Sequence, residues 1–183
     1  MKRVSWKYLA GLIDGEGCID VQVTKSVYVR PRLRLGMAAN TLALLGLIQN
    51  SLGGHIERRE NKNPNWQDAV TLSWSGYRQA CPVLRNVVNN LFLKREQARF
   101  CLWMETNIKG KQVGTEVRDA IREELKLMKR DPHRLSETAQ EKLLTLLGSY
   151  SRKDWKVLSR WNYRFLQEIT CYGESRQQDD DAW

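Results

Sequence analysis

LAGLIDGEG, residues Leu9–Gly17, is the stretch on which the reading of the chain turns. It sits within SWKYLAGLID, residues 5–14, where Ser5 can cap a short helix and Trp6, Leu9 and Ile13 recur on one stripe. Gly15 and Gly17 end that helix. Asp14 and Glu16 therefore stand at its C-terminal end, where the helix dipole is negative and a carboxylate costs from a few tenths to ~1 kcal/mol. Acids kept there without a basic neighbour need another reason. A divalent cation supplies one, and the free carbonyls of the helix end add oxygen ligands. The small residues Ala10, Gly11 and Gly15 let this helix pack closely on another. If that other is a second copy, two Glu16 carboxylates meet near a twofold axis, where a bound metal relieves their repulsion. On Asp14–Gly17 alone a surface turn is the simpler reading. An EF-hand does not fit: counted from Asp14, the glycine position is Ile19 and the closing glutamate position is Lys25.

Outward from this helix the period changes to two. Ile19, Val21 and Val23 share one strand face, and Asp20, Gln22 and Thr24 the other. After a turn at Thr24–Ser26, Val27, Val29, Leu33, Leu35 and Met37 continue the apolar face, while Tyr28, Arg30, Arg32 and Arg34 point away. Pro31 predicts an edge position or a bulge. Thr41 caps a helix to about Leu52, with Leu44, Leu45 and Ile48 inward, and Gly53-Gly54 stops it. A second hairpin has strands His55–Arg59 and Asp68–Ser75 around the turn-rich ENKNPNW. Val70, Leu72 and Trp74 face in; Ala69, Thr71, Ser73 and Ser75 face out. Helices follow over 77–92, its start blurred by Pro82, and over 94–106. The order is α-β-β-α-β-β-α. Beyond it, helices run from Thr115 to about Lys129 and from Ser136 to Leu147. A third opens at Ser151 and carries Trp155, Leu158, Trp161, Phe165, Leu166 and Ile169. The divisions read as a core at 1–106, a helical extension at 107–172 and an acidic tail at 173–183.

Composition bounds the function. The chain has 183 residues, 42% hydrophobic and 28% charged, values of a globular protein. The longest apolar run is Leu42–Ile48, far short of the roughly 20 residues of a membrane span. The net charge is +9, and it reaches +12 over residues 1–170, because four acids and one base follow Thr170. Such an excess suits a polyanion, nucleic acid first. Cys18, Cys81, Cys101 and Cys171 are widely spaced and read as reduced core residues. With two histidines, His55 and His133, a zinc finger is not expected.

Two further features carry chemistry. Arg30, Arg32 and Arg34 form a row that reads either as an exposed edge strand guarded by charge or as a sheet surface laid on DNA, with arginine forking onto guanine edges or phosphates. Asp20, Gln22, Thr24, Tyr28, Thr71, Ser73 and Ser75 offer varied donors and acceptors beside it, and Arg58 and Arg59 add charge on the second hairpin. A two-stranded ribbon fits the major groove. In FLKREQA, residues 92–98, Lys94 opens a helix where a cation is the disfavoured charge; taken alone it is ordinary surface charge.

LAGLIDGEG, followed by the αββαββα pattern, by LGMAANTLALLGLIQNSLGGHI and by LKREQA, resembles the LAGLIDADG homing endonucleases over about residues 6–106. The resemblance implies an α+β fold with a saddle-shaped antiparallel sheet. With one motif copy it implies a homodimer whose motif helices pair through Leu9, Ala10, Gly11, Ile13 and Asp14. It implies that Glu16 and the Gly15 carbonyl bind Mg²⁺, a site that Mn²⁺ or Ca²⁺ can also occupy, and that Lys94 supports the attacking water and the developing charge. DNA would be read by Asp20, Gln22, Thr24, Tyr28, Arg30, Arg32, Arg34, Arg58, Arg59, Thr71, Ser73 and Ser75. The product would be a double-strand break with 3′ overhangs in a long pseudo-palindromic site. Where the family often places Gln or Asn to order water, the register falls on Ala39; a shift of one residue makes Asn40 the catalytic partner. The rivals are an intron RNA maturase on the same scaffold and a sequence-specific DNA-binding protein without cleavage. An intron-encoded protein acting inside the cell, in a bacterial or archaeal cytoplasm or an organelle, is expected, and a secreted one is not.

Overall fold

The computed structural model describes residues 4–25, 27–61 and 67–149. The helix expected at Ser151, the tail and Cys171 lie outside them. Helix α1 (Trp6–Glu16) is followed by strands β1 (Gly17–Thr24) and β2 (Tyr28–Ala38), helix α2 (Leu42–Leu52), strands β3 (His55–Arg59) and β4 (Ala69–Ser75), and helices α3 (Tyr77–Val87), α4 (Arg95–Asn107), α5 (Thr115–Arg130) and α6 (Ser136–Ser149). The strands form one antiparallel sheet in the order β1-β2-β4-β3. The chain divides after Leu143 into two compact units, and of the second only the end of α6 is described. No described helix is long and apolar enough to cross a membrane.

Alternation along the strands creates two unlike faces. Ile19, Val29, Leu33, Leu35, Val70, Leu72 and Trp74 are buried on one, against which α1, α2 and α3 pack. Helix α1 contributes Leu9, Ala10 and Ile13, all 1% exposed or less. Ser5 caps it as its sequence implies, its hydroxyl accepting the Tyr8 N–H at 3.2 Å. The helix passes into β1 without a loop because a Cβ at Gly17 would run into the Ile13 carbonyl; only glycine lets the chain leave there. A similar close approach fixes Gly54 at φ +101°, against Leu72, the Ser73 carbonyl and the Trp74 indole.

Three local expectations change. Thr41 is not a side-chain cap of α2: its hydroxyl donates back to the Ala38 carbonyl at 2.7 Å, and a 3₁₀ turn, Ala39–Thr41, precedes the helix. Pro31 lies in a strand with neighbours on both sides, yet its missing donor costs nothing. The β2–β4 ladder starts only at Arg32 opposite Ser75, and the Pro31 carbonyl accepts the Gly76 N–H at 2.8 Å just past the end of β4. Pro82 sits inside α3, so the helix runs from Tyr77 through it, and the later part of the expected span becomes a 3₁₀ turn, Val88–Asn90.

Helix α5 buries Val117, Ile121, Leu125 and Met128, as the spacing predicts, and lies against β1 and α4. Buried acids tie in the next helix. Glu96 of α4 accepts the Ser136 N–H at the start of α6 at 3.0 Å, and fully buried Glu124 of α5 binds Arg134 at 2.7 Å and Lys142 of α6 at 2.8 Å.

Candidate active centre and nucleic-acid interface

The C-terminal corner of α1 gathers the chemistry. Glu16 is exposed at the negative helix end and makes no hydrogen bond or ion pair among the described residues. Asp14 is half-buried, and its role differs. Its carboxylate accepts the backbone N–H of Phe92 at 2.6 Å and that of Lys94 at 3.0 Å. The Lys94 ammonium, in turn, donates to the Asp14 backbone carbonyl. Lys94 is thus brought to the same corner as Glu16 by a segment some 80 residues away in sequence. Burial lowers the Lys94 pKa, the charges of Asp14 and Glu16 oppose that, and Lys129 on the last turn of α5 reinforces it.

One chain offers a cation the Glu16 carboxylate and the Gly15 carbonyl at an open helix end. Both are hard oxygen donors of the kind magnesium and calcium take. No group of three or more acidic, histidine or cysteine side chains suited to a metal occurs among the described residues. The donor set therefore fits a hard cation in kind, but not in number: the remaining ligands have to come from another molecule.

Of the five residues expected to meet a second copy, Leu9, Ala10 and Ile13 are consumed by the chain's own core, because the apolar stripe of α1 is the one that covers the sheet. Asp14 is committed to Phe92 and Lys94. Only Gly11 lies on the exposed side, which also carries Lys7, Tyr8 and Gly15. Nothing lies within 4 Å of a Cβ added at Gly11 or Gly15, so packing within the chain does not require glycine at either place.

The second sheet face carries the polar row. Register puts Cys18, Asp20, Gln22, Thr24, Tyr28, Arg30, Arg32, Arg34, Thr71, Ser73, Ser75, His55, Glu57 and Arg59 on it, and none is buried. Arg32 and Arg34 are not mutually repelling free charges as the spacing alone suggests. Asp20, directly opposite Arg32, holds its guanidinium at 2.8 and 3.0 Å and takes Arg34 at 2.6 Å. The hydrogen bonds that Arg32 donates to the Asp20 carboxylate raise its pKa above the ordinary value. Arg30, opposite Gln22, is exposed. The Tyr28 hydroxyl accepts from Gln112 at 3.2 Å. Arg58 departs from its expected place: it pairs with Val70, which puts it on the other face from Arg59. Asn40 is exposed in the 3₁₀ turn, and no contact among the described residues joins it to Glu16 or Lys94.

Five participants escape the local reading. Cys18, taken as a core residue, sits on the polar face beside Arg34 and Asp20, and the parity it shares with Asp20 is the signal for it. His55 and Glu57 share the parity of Arg59 in the same way. Gln112 and Lys129 reach the site from the extension, and no neighbouring residue announces either.

The family model described as LAGLIDADG endonuclease matches residues 9–107. No curated protein matches the chain. Among solved structures, the homing endonuclease I-CvuI in complex with its target in the presence of calcium is 25% identical, with a TM-score of 0.54 over 78% of this chain and 94% of that one. The same enzyme with an I-CreI target in the presence of magnesium, its DNA not cleaved, gives 24% and 0.55 with the same coverage. The LAGLIDADG meganuclease I-AabMI bound to uncleaved DNA gives 20% and 0.50 over 73% of this chain and 50% of that one.

Proposed function

We propose, since this chain belongs to the LAGLIDADG endonuclease family, that it is a site-specific double-strand DNA endonuclease acting as a homodimer with a divalent cation, magnesium in the cell. The observation that carries the reading is the unpartnered Glu16 carboxylate, kept at the unfavourable end of α1 in the same corner as Lys94. A protein that only binds DNA gains nothing from an acid there.

Glu16 and the Gly15 carbonyl would hold the cation, with phosphate and water oxygens completing its shell. When bound, the cation stabilises charge on the attacking and leaving oxygens of the phosphodiester. Lys94 places a positive charge where the phosphorane-like charge builds, in a partly desolvated corner where it is worth more than in water. A second copy is expected to pack on the exposed α1 side through Gly11 and Gly15, which brings two Glu16 side chains together over the two strands. The polar sheet face then follows the groove, Arg30, Arg32 and Arg34 reading base edges or phosphates. Two cuts offset across the minor groove would leave 3′ overhangs, and the twofold axis would impose a long pseudo-palindromic site. Relatives solved on DNA with calcium or magnesium support the partner and the class of metal.

The test is Glu16→Gln. It should bind a selected target as wild type does and lose at least ~100-fold in single-turnover cleavage. Cleavage at the wild-type rate would remove Glu16 from the metal site, and a wild type that binds but never cuts would leave a DNA-binding protein.

A further inference from the structure

Leu91 is buried, but Phe92 and Leu93, which follow it on the way into α4, are 75% and 45% exposed, so burial does not hold those two residues in place. Lys94 occupies the cap position of α4, and its own side chain caps nothing. The first N–H groups of a helix need an acceptor, and here it comes from outside: both Asp14 oxygens are used, one on Phe92 N–H and one on Lys94 N–H. The Lys94 ammonium then donates to the backbone carbonyl of Asp14. Asp14 therefore grips Lys94 at its backbone and at its ammonium.

We infer that Asp14 is the positioning residue of Lys94: it fixes the lysine over the Glu16 corner and acts on cleavage only through it. The inference rests on the endonuclease reading for its consequence in catalysis, but the grip itself does not. Asparagine cannot replace Asp14, since its one carbonyl oxygen serves one donor and its NH₂ then faces the other.

Two measurements decide it. In the wild-type protein, amide hydrogen exchange resolved by residue should show Phe92 and Lys94 protected at least tenfold over Leu93, whose N–H has no partner among the described residues; equal exchange at all three overturns the grip. In the second, a double-mutant cycle joins Asp14→Asn with Lys94→Met, each variant checked for an unchanged circular dichroism spectrum and for binding to target DNA. Asp14→Asn should lower single-turnover cleavage at saturating protein tenfold or more, with the dissociation constant for DNA moved less than about threefold. In the Lys94→Met background the same change should cost less than about twofold. Multiplicative losses would mean that Asp14 works independently of Lys94 and would overturn the inference. If Asp14→Asn does not fold, Asp14→Ser, which keeps one acceptor, takes its place in the cycle. If wild type cuts no DNA with any divalent cation, the endonuclease reading fails, and the exchange pattern still decides the grip.

Discussion

Removing the charge of Asp20 should make the protein bind DNA more tightly and choose its sequence less well. The structure gives the reason. Asp20 holds Arg32 through two hydrogen bonds and Arg34 through a third, with side chains 28%, 29% and 38% exposed. Three charges on one face thus behave as a net +1 with fixed geometry. Asp20→Asn keeps the volume and one acceptor but leaves a net +2 with looser guanidiniums. The stability cost is modest because the group is partly solvated: two half-exposed ion pairs amount to about 1–2 kcal/mol together. One further cation per chain free for phosphate steepens the fall of log K with log salt by about 0.9 for each chain bound, about 1.8 for a dimer, so binding to random DNA should strengthen in low salt. A bidentate arginine–guanine contact is worth about 1–3 kcal/mol of discrimination. Losing half of one in each half-site of a dimer removes about 1–3 kcal/mol, roughly a 5- to 150-fold drop in the ratio of target to random binding. Fluorescence anisotropy against target and random duplexes at several salt concentrations reads both quantities. An unchanged salt slope with unchanged selectivity would reduce the Asp20–arginine cluster to a sheet cross-link and refute its role in readout.

Two stability predictions follow from the fold. Burial raises the Glu124 pKa, but the hydrogen bonds and charges of Lys142 and Arg134 outweigh it and hold it below its ordinary 4.5. A depressed folded pKa gives stability that is present above the unfolded value and lost as pH falls through the folded one. Glu124→Gln should therefore destabilise the protein at neutral pH, with the gap to wild type closing below about pH 4.5, as followed by urea unfolding; a constant gap from pH 7 to pH 3 would be inconsistent with the pair. Gly54→Ala should lower stability by about 2–4 kcal/mol, since φ is positive and the new methyl meets the Ser73 carbonyl and the Trp74 indole that donates to Leu52. Gly53→Ala, at φ +70° with open space around it, should cost only about 1–2 kcal/mol, and equal thermal shifts for the two would contradict the close packing.

The sheet could be read from the sequence almost residue by residue, because one buried face imposes a period of two that survives even Pro31. The apolar stripe of α5 was legible for the same reason. What the period does not carry is the identity of the neighbour across a strand pair. Asp20 and Arg32 are twelve residues apart, and only the β1–β2 register makes them a clamp rather than two isolated charges. The same limit separates Arg58 from Arg59: adjacent in sequence and alike in charge, they fall on opposite faces once β3 pairs with β4.

At the candidate site the helix-end position of the two acids was legible, and the partners that distinguish them were not. Spacing put both acids at the end of α1, where neither is electrostatically welcome, and treated them alike. The fold separates them by giving Asp14 two backbone N–H donors and leaving Glu16 open. Those donors come from a segment whose position depends on the whole core being assembled, so no local pattern could have announced them. The same holds for the α1 surface. The stripe that looked fit for a partner is buried by the chain's own sheet, and the exposed side is marked instead by glycines that the single chain does not need. With no side chain at Gly11 or Gly15, this side of α1 is open to close approach by another body. Here those open positions fall on the side of α1 opposite the core, beside the Glu16 carboxylate, which has no hydrogen bond or ion pair among the described residues.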